Sequence, residues 1–194
     1  MENSSTPAMA STSTPTQTPI ERFNSLFSSS EFLFIVSYRG HWCPFCRAYL
    51  TTLTSIFPSI ISQGGNTVIL TAEPANFLPE MRKSTGYEGE AIVDEKNELM
   101  AYLRERYGWE VAITERKGYV SGMAQPGVLV LRRKGDGEGE VEVLEKWAIV
   151  PGCDRPELAQ IWDNVQAKLK GEKEVHRSYK KISAVGVLKG AFFG

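Results

Sequence analysis

The 194-residue chain is poor in cysteine, histidine and long apolar runs, and each shortage narrows what it can be. It has three cysteines, an odd and small number. A secreted scaffold held by disulfides would carry more, in even number. A reducing, cytoplasmic setting is therefore expected, with any cysteine pair cycling rather than permanently bridged. No apolar stretch approaches the roughly 18 residues that span a bilayer, so no membrane role is expected. No basic run stands out, and 22 basic against 23 acidic residues leave a net charge of −1. Neither nucleic acid nor an acidic membrane surface is expected as a partner. The first 19 residues lack aromatic and basic side chains and are rich in Ser, Thr and Pro. Such a composition buries too little apolar surface to order itself, so residues 1–19 read as a disordered tail. With no basic start and no apolar stretch, the tail does not read as a signal peptide.

What is present is Cys43-Pro44-Phe45-Cys46, placed between a strand-like run, Phe32 to Tyr38, and a helix-like run from Arg47 onward. Two residues three apart at a helix start share a face, about 5–6 Å apart between Cβ atoms. A modest adjustment brings such a pair within disulfide range. The first thiol stands where free backbone N–H groups and the positive end of the helix dipole favour a thiolate, the reactive form of cysteine. Pro44 lacks an N–H, which costs nothing in a first turn, and presets φ for it. A metal is not expected: zinc needs four ligands, and only Cys153, His41 and His176 remain, at no ligand spacing.

Elsewhere, helical spacing predicts a short helix over 19–27, helices over 74–83, 97–107 and 156–169, and a helix over 43–62 interrupted by Pro58. Strands are expected over 66–71, 91–94, 128–131 and 142–150, the last two forming a hairpin around a turn rich in Gly and charge. The order predicts an α/β chain with a central mixed β-sheet flanked by helices. One domain over 20–170 is expected, followed by a C-terminal extension, 171–194. Its apolar end suits packing on the domain or a possible homodimer.

A CxxC after the first strand of a βαβ frame, with Pro126 just before the hairpin, resembles the thioredoxin fold. More closely, Arg39 to Leu50 resembles peroxiredoxin-like members of the AhpC/TSA group, as does Ile92-Val93-Asp94 leading into the helix at Asn97, which is like the insertion peroxiredoxins carry. The resemblance covers roughly residues 30–170 and implies a thioredoxin-like fold with a peroxiredoxin-like insertion. It also implies that Pro126 is cis and lies beside the cysteines, with the backbone of Gln125 pairing with a bound substrate chain. Peroxiredoxins carry P-x-x-x-T-x-x-C. Counted back from Cys46, the Thr place holds Cys43 and the Pro place Arg39. Counted back from Cys43, these places hold Gly40 and Val36. Neither register matches, and the later segment expected to face the cysteines offers Pro126 rather than an arginine. Both departures favour dithiol exchange.

The resulting expectation is an antioxidant-type oxidoreductase: a thiol–disulfide oxidoreductase or thiol-dependent peroxide reductase. Cys43 is its exposed nucleophile and Cys46 its more buried resolving cysteine. Peroxide would convert Cys43 to a sulfenic acid that Cys46 condenses with. The substrate is a small-molecule thiol, peroxide or disulfide, and glutathione or thioredoxin supplies electrons, with no bound cofactor. Trp42, Phe45, Pro44, Gln125 and Pro126 form the expected substrate wall. Arg39 and Arg47 stabilise the thiolate or bind an anionic thiol, and His41 holds a proton nearby. Cys153 reads mainly as a small side chain near a helix start. Two other readings remain open: a tailoring enzyme or lyase acting on a small apolar metabolite, suggested by Phe34, Tyr38, Trp42, Phe45 and Tyr49, and a non-enzymatic redox-sensing binding module.

Overall fold

A computed structural model describes residues 17–135, 140–148 and 155–181. Most of the tail, the turn at 136–139, the strand end at 149–150, Cys153 and the apolar end from 182 lie outside the described residues.

The chain opens with α1 (Pro19–Ser28), started by a capping box in which the Thr18 hydroxyl and the Glu21 carboxylate satisfy each other's backbone N–H groups. Strand β1 (Phe32–Ser37) runs into the CPFC turn and α2 (Pro44–Ser62). Then come β2 (Gly65–Thr71), a 3-10 turn (Ala75–Phe77), α3 (Leu78–Thr85), β3 (Glu90–Val93) and α4 (Glu98–Tyr107). Two two-residue strands follow, β4 (Ile113–Thr114) and β5 (Met123–Ala124). The chain continues with β6 (Gly127–Arg133), β7 (Val141–Ala148) and α5 (Leu158–Leu169).

The main sheet has the order β3-β2-β1-β6-β7. β1, β2 and β3 are parallel, whereas β6 pairs antiparallel with both β1 and β7. This is the mixed sheet expected from the element order. β1 is buried along its whole length, and its side chains alternate between two cores. Phe32, Phe34, Val36 and Tyr38 join the α2 and α5 side, with Leu50, Leu53, Ile161 and Val165. Leu33 and Ile35 join the α1 and α4 side, with Phe23, Leu26, Leu99 and Leu103. Helices thus cover both faces, and each buried Leu, Ile or Phe contributes about 1.5–3 kcal/mol.

Two expectations are corrected. Pro58 does not interrupt α2, which continues to Ser62. Leu53 and Ile60, on either side of the proline, are both fully buried in one core, and that packing outweighs one missing backbone bond. The Gln125–Pro126 bond is trans, since no cis peptide occurs among the described residues.

Parallel strands β1 and β2 end at the same edge of the sheet, and β6 begins there beside Ser37. Sites in α/β sheets form at such carboxyl ends. Among the described residues no helix is long and apolar enough to cross a membrane.

Candidate active site

Cys43 is the N-cap of α2, and Pro44 takes the first helical position. The Cys43 carbonyl accepts from the amides of Cys46 and Arg47, at 3.0 Å each, which fixes the turn. Both cysteines are free thiols. Cys43 is only 2 % exposed and Cys46 is completely buried. Cys43 is therefore not the exposed thiol expected from the sequence. It belongs to the α2–α5 core, against which Trp42 and Phe45 pack.

The side chain that defines the site is Arg155, which sequence reasoning missed. It is 3 % exposed, and its Nη2 lies 3.5 Å from Cys46 Sγ and 3.9 Å from Cys43 Sγ. The guanidinium also sits 5.6 Å from the Tyr49 ring centre and 5.9 Å from that of Phe45. The Tyr49 hydroxyl donates to the carbonyl of Pro156 at 2.9 Å, which holds the segment carrying Arg155 against α2. Nη1 is buried with no hydrogen-bond partner among the described residues. Arg155 stands between β7 and α5, not in the segment at Pro126.

The two thiols are made unlike. Cys43 is drawn well below the ordinary thiol range, first because Cys46 hydrogen-bonds to it, then through the Cys46 amide and the charges of Arg155 and Arg39, all against the cost of burial. Cys46 is pushed up by burial first, and then by serving as donor to Cys43. One sulfur is poised as thiolate and its neighbour as thiol.

The remaining expected residues are gathered around the turn. Arg39 Nε donates to Gln125 Oε1 at 2.8 Å, and Gln125 Nε2 donates to Thr114 Oγ1 at 2.9 Å. Arg47 faces elsewhere: its Nε donates to the His41 carbonyl, and its Nη2 lies 3.3 Å from Glu80. His41 is tied to buried Glu73 through its amide, 2.8 Å, and its Nδ1, 2.7 Å. Its ring stacks on Phe77, and Nε2 lies 3.7 Å from Glu80. Its ring nitrogens are thus engaged with carboxylates. Glu73, just beyond the end of β2, was not singled out from the sequence. A charged residue directly after a buried parallel strand was the available signal.

Pro126 and Gln125 are buried beside the end of β1. The Gln125 N–H donates to the Ala112 carbonyl at 2.9 Å, and its C=O accepts from Ser37 Oγ at 2.9 Å. The backbone expected to pair with a substrate chain is already paired within the protein. Trp42 Nε1 donates to the Tyr119 hydroxyl at 3.1 Å, and Arg116 lies over the Trp42 ring at 3.6 Å.

No family model and no curated protein matches the chain. Solved structures do. A cysteine-to-serine mutant of peroxiredoxin 6 of Arenicola marina matches with a TM-score of 0.53 at 16% identity, over 76% of this chain and 64% of that one. The matched part thus falls short of two thirds of the Arenicola protein. Mycobacterium tuberculosis AhpC matches with a TM-score of 0.52 at 9% identity, over 74% of this chain and 72% of that one. Peroxidoxin BcpB of Mycobacterium tuberculosis gives 0.51 at 11%, over 77% and 84%. At such identities the likeness is one of fold: this is a thioredoxin-like chain of peroxiredoxin-like architecture.

Proposed function

We propose that the chain is a thiol oxidoreductase with Cys43 as nucleophile and Cys46 as resolving cysteine. The observation that carries the reading is one buried guanidinium within hydrogen-bonding range of both sulfurs of a CxxC, with one thiol shifted down and the other up.

The Cys43 thiolate attacks a disulfide RSSR, forming Cys43–S–S–R and releasing RS⁻. Cys46 gives up its proton to solvent and attacks the Cys43 sulfur, releasing a second RS⁻ and leaving the Cys43–Cys46 disulfide. With a hydroperoxide ROOH, the thiolate takes the distal oxygen and the leaving alkoxide takes up a proton, giving Cys43–SOH and ROH. Cys46–SH then condenses with the sulfenic acid and water leaves. Either route oxidises the protein by two electrons, and two equivalents of a thiol restore it. Glutathione or thioredoxin suits that role, and a reducing, cytoplasmic compartment suits the cycle. Arg155 holds the charge on Cys43 before attack, and its Nη1, without a hydrogen-bond partner among the described residues, is positioned to donate to a peroxide oxygen that reaches it. Arg39, fixed by Gln125, adds a second positive charge beside Cys43.

Thiol chemistry on the two serine variants tests this. Cys43→Ser is expected to abolish reaction with small disulfides and peroxides. Cys46→Ser is expected to stall as a mixed disulfide visible by mass. Full turnover in both variants would refute the assignment.

A further inference from the structure

We infer that the segment between β4 and β5 is a flap that admits small thiols and excludes polypeptide dithiols, so that the oxidised pair is recharged by a small thiol of the glutathione class. The inference rests on the redox reading above and names the partner within it.

The fastening of this segment, the engaged backbone beside it and the burial of Cys43 support the inference. First, the segment is fastened to the rim of the site at both residues that precede and flank the CPFC turn. Tyr119 donates its hydroxyl to the Arg39 carbonyl at 2.7 Å and accepts from Trp42 Nε1, while Arg116 covers the Trp42 ring. Its far end is tied down by Asn97, whose Nδ2 donates to the carbonyls of Ser121 and Gly122 at 2.9 and 3.0 Å. Second, the backbone next to Pro126 is already engaged. Extended polypeptides can bind by adding backbone hydrogen bonds to an exposed strand. Here the N–H of Gln125 donates to Ala112, just before β4, and its carbonyl accepts from Ser37 of β1. Third, Cys43 is 2 % exposed. A polypeptide dithiol presents its sulfur from a broad surface and needs the target sulfur near the exterior. A tripeptide-sized thiol presents it on a thin side chain.

The electron count is that of ordinary exchange. A small thiolate R'S⁻ attacks the disulfide, one protein thiol is released, and a second R'S⁻ displaces the other, giving R'SSR' and the dithiol after two protons are taken up.

The test oxidises the full-length protein with diamide, confirms disulfide formation by thiol count, and follows re-reduction by glutathione and separately by reduced thioredoxin. Insulin serves as an exposed-disulfide control. Relative to insulin, the wild type is expected to react at least about a hundredfold more slowly with thioredoxin, and within about tenfold with glutathione. In Arg116→Ala/Tyr119→Phe, which loosens the flap and keeps the Tyr119 ring, the thioredoxin rate should rise about tenfold or more, with the glutathione rate changed by less than about threefold. A wild type reduced by thioredoxin as readily as insulin overturns the inference without any variant, as does a double variant that alters both rates alike. If the thiol count shows that no Cys43–Cys46 disulfide forms, the redox reading itself falls, and this one with it.

Discussion

At the residue scale, a buried arginine lies within hydrogen-bonding range of two sulfurs. Arg155→Met removes the charge and keeps much of the packing volume. The Cys43 thiol then moves back toward its ordinary value of about 8.5, and alkylation by iodoacetamide at pH 6 slows, roughly tenfold for each unit by which that value exceeds the assay pH. An unchanged rate–pH profile would detach Arg155 from the thiolate. The same shifts make the stability of the reduced protein depend on pH. Cys43 has a depressed folded value, so its contribution is full above the unfolded thiol value of about 8.5 and fades as pH falls toward the lowered value. Cys46 has a raised folded value, so its contribution is full below about 8.5 and is lost above it. Urea unfolding of the reduced form should therefore show stability climbing from mildly acid pH to about 8 and declining beyond about 9. A Cys43→Ser/Cys46→Ser variant should lack this component. Arg155 was illegible beforehand because it stands 109 residues from Cys46, directly before Pro156, where an arginine looks like any solvated charge. The CPFC turn was legible because strand, breaker and helix signals all agreed locally.

At the element scale, the flap shows where periodicity fails. β4 and β5 have two residues each, too few for an alternating pattern to stand out, so 108–124 carried no sequence signal. Its anchor is Asn97, held in the left-handed region at φ 58° with its side chain directed at the flap. Asp94 supports that conformation: its carboxylate caps α4 through the amides of Glu98 and Met100, and its carbonyl accepts from the amide of Asn97. Asn97→Gly keeps a backbone that glycine adopts freely but removes both flap bonds. The expected cost is about 1–2 kcal/mol in urea unfolding, with faster protease nicking within 115–122. Loss of stability without any change in nicking would place Asn97's contribution elsewhere. Helix α2 taught the opposite lesson, since Pro58 is a local breaker overruled by tertiary packing at Leu53 and Ile60.

At the scale of the whole molecule, the order β3-β2-β1-β6-β7 brings the ends of β1 and β2 and the start of β6 to one edge. The β-α-β order and the hairpin made that architecture readable, because buried parallel strands are nearly continuous apolar runs. The role of the chain beyond α5 was not readable. Residues 172–181 return along α5 as a strap. Asn164 binds His176 and Tyr179, Tyr179 packs edge-on against Trp147, and the Glu157 amide donates to the Lys180 carbonyl. A bridge from Lys181 to Pro156 lands next to Arg155. Asn164→Ala is expected to lower the melting temperature by roughly 4–8 °C, from a loss of about 2 kcal/mol. It should also raise the thiol value of Cys43, because the link carrying Arg155 loosens. A lower melting temperature with unaltered thiol reactivity would make the strap purely structural.

The guanidinium of Arg155 has one more consequence, in the currency of electrical potential. In the proposed cycle, joining Cys43 to Cys46 would remove the thiolate and leave the buried cation. Removing the partner of a buried charge costs about 3–5 kcal/mol, and for a two-electron couple about 1.4 kcal/mol corresponds to 30 mV. On the proposed redox reading, Arg155 therefore favours the dithiol and is expected to move the couple's midpoint toward the oxidising side. Equilibration against glutathione buffers measures it, and Arg155→Met should draw it back toward the reducing side.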